Sequence, residues 1–163
     1  MGINVAITGL HATDNPAPGI GVIRSLQHPN GWDGKIIGLA YDAMDTGVYD
    51  DGLLDHTYMI SYPNQNTKAI LDRLLYIHEQ QRIDVIIPTL DSELPLYQRL
   101  EPDLKKHGIS IFIPPKEVTK KIEKSNIVEF CDENEILTPE TIVIKDPSQL
   151  DKAIKEFGFP FYV

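Results

Sequence analysis

The chain has 163 residues, 42% of them hydrophobic and 24% charged, which is ordinary for a globular protein with a buried core. Its formal net charge of -9 argues against non-specific binding to nucleic acid or to an anionic membrane, since both need a basic surface. The single cysteine, Cys131, leaves no disulfide within the chain and no thiolate zinc site, and it favours the reducing cytoplasm.

Short apolar runs alternate with longer segments of helical periodicity as far as residue 114. Helices are predicted over about 20–28, 65–81 and 93–107. The apolar runs are mostly continuous rather than alternating in polarity, as in strands that are buried on both faces, and they cover residues 3–8, 35–40, 57–61, 84–88 and 109–114. This alternation predicts an α/β fold, a doubly wound parallel sheet with strand order 3-2-1-4-5.

The pattern changes after residue 114, where two helical stretches, about 116–123 and 126–134, follow each other directly. A strand is then predicted over 140–144, a helix over DPSQLDKAIKEFG, and the start of another strand at FPFYV. Because two short strands are marginal alone, we interpret residues 115–163 as part of a larger domain. Residues 1–114 form the first domain in this interpretation.

The loop after the first strand is the first candidate binding segment. Gly19 and Gly21 open a helix, and a helix N-terminus flanked by glycines favours an anion. The dinucleotide fingerprint G-x-G-x-x-G is incomplete, because Arg24 stands in place of the third glycine. The two glycines are equally consistent with a tight loop and close helix packing. The length of the loop favours a binding role, and His11 is the histidine of most interest in it.

The segment IIPTLDSELPLYQRL places Thr89, Asp91 and Glu93 just beyond the fourth strand. Strands one and four are neighbours in the predicted order, and ligands bind in the crevice at their carboxyl ends. We therefore expect the loop after the first strand, which leads to Gly19, to face the segment that carries Thr89, Asp91 and Glu93. The alternative is helix capping, with Asp91 or Ser92 as the cap and Glu93 interacting with the helix dipole.

The remaining polar residues predict no metal site. The stretch 42–55 carries five aspartates without the spacing of a calcium loop, so a solvated loop is favoured over a cation site. The five histidines show no ligand spacing with one another or with Cys131, which is expected to be a buried thiol on an apolar helix face. No nucleophile and base pair is identifiable, so the catalytic residues stay unknown.

The order of these features resembles the pre-ATP-grasp domain of ATP-grasp ligases, especially carbamoyl-phosphate-synthase-like and biotin-carboxylase-like members. The matching segments are NVAITG, PGIGVIRSL, IDVIIPTLDSELPLYQRL and HGISIFIPP. Two later segments, IVEFCDENEILTPETIVI and DKAIKEFGFPFYV, resemble the start of the ATP-grasp domain itself. The resemblance covers nearly the whole chain, and it implies a Rossmann-like first domain followed by a partial α+β ATP-grasp subdomain.

The resemblance implies an enzyme that uses ATP and Mg²⁺ to activate a carboxylate as an acyl phosphate, which an amine or another nucleophile then captures. Its catalytic and magnesium-binding residues would lie downstream of Val163, so this fragment is expected to be inactive and to bind neither cofactor tightly. A small-molecule carboxylate and ATP are the implied partners, a cytoplasmic location is expected, and a homodimer is left open. The implied substrate-side residues are Gly19, Gly21, Thr89, Asp91 and Glu93.

One departure from the family concerns the nucleotide. The family has Asp-Lys at the start of the helix after the linker, and that lysine contacts ATP. Counting back from Pro139 places Ser125 and Asn126 there, and an asparagine carries no positive charge. Lys124 lies two residues before Asn126 and could substitute, so both are candidate ATP contacts.

Two other functions are kept as alternatives. A non-catalytic α/β module that binds a nucleotide or a partner subunit would explain the acidic loop and the missing Asp-Lys pair. A nicotinamide-dependent enzyme would explain Asp42 directly after strand two, but the long first loop and Arg24 argue against it.

Overall fold

The computed structural model describes residues 2–11, 18–28, 31–123, 126–160 and 162. The chain divides into two compact units, Met1–Pro115 and Lys116–Val163. Within the described ranges, no helix combines the length and the apolar character needed to cross a membrane.

The first unit is built on a five-stranded, all-parallel sheet with the order β3-β2-β1-β4-β5. In the central register, Ile7 pairs with Gly38 of β2 and with Ile87 of β4. Every residue of β1 and β2 is buried, which explains the continuous apolar runs in the sequence. The predicted fold class and strand order are therefore confirmed. The strands are β1 (Val5–Ile7), β2 (Ile36–Ala40), β3 (His56–Met59), β4 (Val85–Ile87) and β5 (Ser110–Ile111).

Helices cover both faces of this sheet, because successive strand residues point to opposite sides. Ala6 belongs to the core that packs against α2 and α3, whereas Val5 and Ile7 belong to the core that contains Ile23 of α1. The helices of the first unit are α1 (Pro18–Gln27), α2 (Thr67–Gln81) and α3 (Leu94–Lys106), with short 3-10 turns at Thr46–Tyr49 and Asp91–Glu93.

The regular secondary structure in the described part of the second unit consists of the helices α4 (Lys116–Ile122), α5 (Ile127–Glu133) and α6 (Leu150–Phe157) and a 3-10 turn at Pro147–Gln149. Cys131 is buried in α5, as predicted. The predicted strand over 140–144 is wrong, because this segment has no regular secondary structure and pairs with no strand in the described residues, and its apolar side chains are exposed. A strand needs a neighbour to take up its backbone hydrogen bonds. The predicted final strand falls partly on Phe161 and Val163, which lie outside the described residues.

The two glycines of α1 have different surroundings. A Cβ on Gly19 would lie 2.0 Å from the carbonyl oxygen of Thr8, and the Gly19 amide donates to the carbonyl of Gly9 at 3.0 Å. A Cβ on Gly21 would meet no atom within 4 Å. Close packing of α1 on the end of β1 therefore requires glycine at position 19 and not at position 21.

We expect Gly19→Ala to lower the free energy of unfolding by about 2 kcal/mol or more, because the methyl group would displace backbone rather than a flexible side chain. Gly21→Ala is the matched control on the same helix, and it should be neutral or stabilising by up to about 1 kcal/mol. Urea unfolding followed by the fluorescence of Trp32, the only tryptophan, which is partly buried and packs against the first unit's core, measures both. Equal losses in the two variants would contradict this account.

Candidate functional site

The buried carboxylate of Glu93 is the centre of a polar cluster at the carboxyl ends of β1, β2 and β4. Its Oε2 atom accepts hydrogen bonds from the Thr8 hydroxyl at 2.7 Å and from the amides of Thr89 and Leu90 at 3.0 and 3.1 Å. Its Oε1 atom accepts from the Tyr41 hydroxyl at 2.5 Å. Because Thr8 follows β1, Tyr41 follows β2 and Thr89 follows β4, one carboxylate ties three strand ends together.

The ends of β1 and β4 also contact each other directly. The Thr89 hydroxyl donates to the Thr8 carbonyl at 3.1 Å, and the Thr89 amide lies 3.0 Å from the Thr8 hydroxyl oxygen. Gly9 has a φ of 69°, and a Cβ there would lie 2.0 Å from Thr89 Oγ1. Since Gly19 donates to the Gly9 carbonyl, the start of α1 and the segment after β4 meet at this edge of the sheet.

Two buried tyrosines adjoin the Glu93 carboxylate. Burial raises the pKa of Tyr41 well above its usual value, and the charges of Tyr97 and Glu93 add to this effect. Burial likewise raises the pKa of Tyr97, and the Glu93 charge raises it further. Among the described residues, the Tyr97 hydroxyl makes no hydrogen bond of ordinary geometry. Both phenols therefore stay protonated throughout the neutral range.

A pocket of about 520 Å³ opens beside this cluster, over the carboxyl ends of β2 and β3. The rings of Tyr41 and Tyr62 stack in its wall, with centroids 5.4 Å apart and planes inclined by 14°. Its lining also includes His11, Asp42, Asp45 and Ser92. The carboxyl edge of a parallel sheet is the usual position for ligand binding in this architecture.

Three of the five aspartates between residues 42 and 55 accept hydrogen bonds from backbone amides, and one of them, Asp45, is buried. The Asp45 carboxylate accepts from the amides of Tyr41 at 3.0 Å and Asp42 at 3.4 Å. The Asp42 carboxylate accepts from the Met44 amide at 2.8 Å, and the Asp55 carboxylate accepts from the Ile36 amide at 2.7 Å. The predicted solvated loop is therefore wrong for Asp45, which is buried, whereas Asp42 and Asp55 are exposed and hydrogen-bond to backbone amides as well.

The structure brings some of the predicted site residues together and separates others. Gly19, Thr89 and Glu93 lie at the joined ends of β1 and β4. Gly21 faces open space on α1, and Asp91 is exposed at the first position of its 3-10 turn.

The capping alternative for Asp91 and Ser92 is wrong, because the N-cap position of this turn is Leu90. Instead, the Glu93 carboxylate accepts a hydrogen bond from the Leu90 amide.

The sequence did not identify Thr8, Tyr41 and Asp45 as members of this region. Their only local signal is that each follows a buried strand within a few residues.

The candidate nucleotide contacts lie in the second unit. Lys124 falls outside the described residues. Asn126 immediately precedes α5, and its side-chain amide donates to the Lys120 carbonyl at 2.9 Å. Across the described ranges, no group of three or more histidine, cysteine or acidic side chains could hold a metal ion.

No protein-family model matches the sequence, and no curated protein matches it. The structure is similar to the biotin carboxylase domain of Hydrogenobacter thermophilus 2-oxoglutarate carboxylase, solved with MgADP, ADP and bicarbonate. The TM-score is 0.54, with 17% identity over 98% of this chain and 34% of that one. The biotin carboxylase subunit of pyruvate carboxylase gives 0.52 and 16%, over 98% and 34%. Complete Rhizobium etli pyruvate carboxylase gives 0.51 and 12%, over 86% and 13%.

The chain spans about a third of the length of the biotin carboxylase chains that it matches. At these identities the likeness concerns the fold. It confirms the predicted α/β, Rossmann-like fold and the predicted resemblance to biotin-carboxylase-like proteins.

We expect Glu93→Gln to lower the free energy of unfolding by about 1–3 kcal/mol, since the amide oxygen can still accept from Thr8, Thr89 and Leu90 but the NH2 group replaces the charged acceptor of the Tyr41 hydroxyl. Asp91→Asn, an exposed substitution of the same kind two residues away, should change it by less than about 0.5 kcal/mol. Urea unfolding measures both. Equal stability of Glu93→Gln and the wild type would show that the cluster does not hold the strand ends.

The raised pKa values of Tyr41 and Tyr97 predict a loss of stability in alkaline solution. The unfolded chain releases these protons above about pH 10, whereas the folded protein retains them. Their contribution to stability is thus complete below about pH 10 and falls by up to about 1.4 kcal/mol per pH unit for each tyrosine above it. Urea midpoints measured across this pH range give the slope.

Tyr97→Phe should make this slope shallower, because it removes one of the two buried phenols whose pKa is raised by burial. Tyr76→Phe, on a half-exposed tyrosine of α2, is the matched control and should leave the slope unchanged. An equal slope in the wild type and in Tyr97→Phe would show that Tyr97 does not contribute to the loss of stability at high pH.

Proposed function

We propose that this chain is the N-terminal part of an ATP-dependent ATP-grasp ligase of the carbamoyl-phosphate-synthase-like kind. The parent enzyme would activate a carboxylate as an acyl phosphate for capture by a nucleophile. The observation that carries the proposal is the likeness to biotin carboxylase domains across 98% of the chain. The ordered series of segments from NVAITG to the FGFPFYV end supports it independently.

The substrate side of the parent would lie at the joined strand ends of the first unit. Glu93 is fully buried and bonded to three strand ends, so we assign it a positioning role. Thr89 and Gly19 also have a structural role at this junction. The Thr89 hydroxyl donates to the Thr8 carbonyl, and the Gly19 amide donates to the Gly9 carbonyl. Asp91 is exposed beside the junction, so it is the proposed contact to the nucleophile rather than to the carboxylate, which it would repel. Gly21 is proposed as a substrate-side residue on the sequence pattern alone, because on α1 it faces open space away from the joined strand ends.

ATP and Mg²⁺ belong to the parent in this proposal. Magnesium needs oxygen ligands, and the described residues contain no suitable cluster of metal-binding side chains. We therefore place its ligands in the remainder of the parent. Lys124 and Asn126 are the proposed nucleotide contacts within this chain. A cytoplasmic location is part of the proposal, and so is a homodimer, an arrangement reported for the Hydrogenobacter thermophilus domain.

A non-catalytic module remains the second candidate, and one observation favours it. The first unit has a pocket over β2 and β3 that is complete without the second unit. The second unit has Asn126 at the position where ATP-grasp ligases have a lysine that contacts ATP.

The parent protein should release ADP from Mg-ATP, at a rate that rises when its carboxylate substrate is present. The isolated 163-residue chain should release none, because the residues that bind magnesium would be absent from it. A coupled ADP assay with bicarbonate and a panel of small carboxylates measures both. No ATP binding and no ADP release by the parent would favour the binding module, and turnover by the isolated chain would contradict the proposed division of roles.

Asn126→Lys should tighten ATP binding by the parent about fivefold, since it restores a cation at the proposed phosphate contact. Asn134→Lys, which adds the same charge at the opposite end of α5, is the matched control and should leave the affinity unchanged. Calorimetry with Mg-ATP measures the two dissociation constants. An equal effect of both substitutions would indicate a general charge effect rather than a contact at position 126.

A further inference from the structure

The pocket over β2 and β3 has a chemistry that the proposed ligase function does not use. We propose that it binds an organic cation, a primary or quaternary ammonium group carried on a small apolar body. This inference concerns binding by the first unit alone and stands whether or not the parent is a ligase.

The charge of the lining is the first argument. Asp42 and Asp45 contribute carboxylates to the wall, and Glu93 lies behind Tyr41 at hydrogen-bond distance. No lysine or arginine lines the pocket in the part of the chain that the structure describes. A cation entering this space meets only attractive formal charges, whereas an anion meets repulsion at short range.

The backbone amides of the same wall give the second argument. Anion sites usually present amide donors to the ligand. Here the Tyr41 and Asp42 amides donate to the Asp45 carboxylate, and the Met44 amide donates to the Asp42 carboxylate. The Asp45 amide donates to the Asp42 carbonyl, and the Gly47 amide donates to the Leu10 carbonyl. These five amide donors are already in use, so they are not available to bind an anion.

The stacked tyrosines give the third argument. The Tyr41 hydroxyl is held by Glu93 and the residue is buried, so the accessible aromatic face in the wall is that of Tyr62. Tyr62 stacks on the Tyr41 ring and is about half exposed, at 46%. Aromatic faces attract ammonium groups through the ring quadrupole, and the attraction grows where water is partly excluded. Carboxylates beside aromatic faces therefore suit a cation with attached carbon better than a hydrated metal ion.

The size of the pocket sets the size of the ligand. About 520 Å³ lies within the usual range for small-molecule sites, and the exposed Met44 side chain at its edge offers apolar contact. A short alkyl chain bearing one ammonium group fits this volume with room for water.

Three four-carbon probes that differ in charge test the proposal: butylammonium, 1-butanol and butyrate. Each is titrated into the 163-residue chain at constant ionic strength, and backbone amide shifts are followed by two-dimensional NMR. We expect saturable shifts at Tyr41, Asp42, Asp45 and Tyr62 with butylammonium, at least about threefold weaker binding of butanol, and no saturation with butyrate.

Asp42→Asn should weaken butylammonium binding at least about threefold. It keeps an oxygen that can accept from the Met44 amide, so the turn should persist. Asp33→Asn, an equal loss of charge on an exposed residue before the amino end of β2, is the matched control and should have no effect. Tyr62→Leu provides an independent variant, which should weaken ammonium binding more than butanol binding.

Several results would overturn the proposal. They are butyrate binding as tightly as butylammonium, equal effects of Asp42→Asn and Asp33→Asn, or no effect of either pocket variant. Adenosine is titrated as a further probe, because Asp42 follows strand two as a ribose-binding acid would. Tighter binding of adenosine than of butylammonium at the same amides would assign the pocket to a nucleoside and reject the cation. None of these results depends on ATP turnover by the parent.

Discussion

The carboxyl edge of the sheet depends on one buried carboxylate. A charged group removed from water is costly unless hydrogen bonds replace its hydration. Glu93 receives donors from Thr8, Tyr41, Thr89 and Leu90, which come from the ends of three different strands. Two of these strands, β1 and β4, have only three residues each. The carboxylate thus continues their association beyond the point where the ladder of backbone hydrogen bonds stops.

The architecture of the first unit could be predicted because burial on both faces leaves a plain signal in the sequence. The runs INVAIT and DVIIP each contain a continuous apolar core, VAI and VII, and helices with one apolar face separate such runs. The same reasoning failed at 140–144, where the residues are equally apolar but no neighbouring strand is present among those described. Apolarity predicts that a segment can be a strand, whereas pairing decides whether it becomes one.

The candidate site was predictable in position but not in the role of each residue. The topology rule placed the loops after β1 and β4 together, and they contact each other through Thr8 and Thr89. The rule could not show that Glu93 turns inward, because its partner Thr8 lies 85 residues away in the chain. It also gave no weight to Tyr41 or Asp45, whose function emerges only when side chains from β2 and β4 converge.

The contact between Gly9 and Thr89 links two positions that are distant in sequence. The backbone at residue 9 is left-handed, with φ of 69°, and the space that a side chain there would need is filled by Thr89 Oγ1. A larger residue at position 9 is therefore compatible with this backbone only if position 89 becomes smaller at the same time. Among natural relatives these two positions should vary together, so the pair offers a marker for aligning remote sequences across the first and fourth strands.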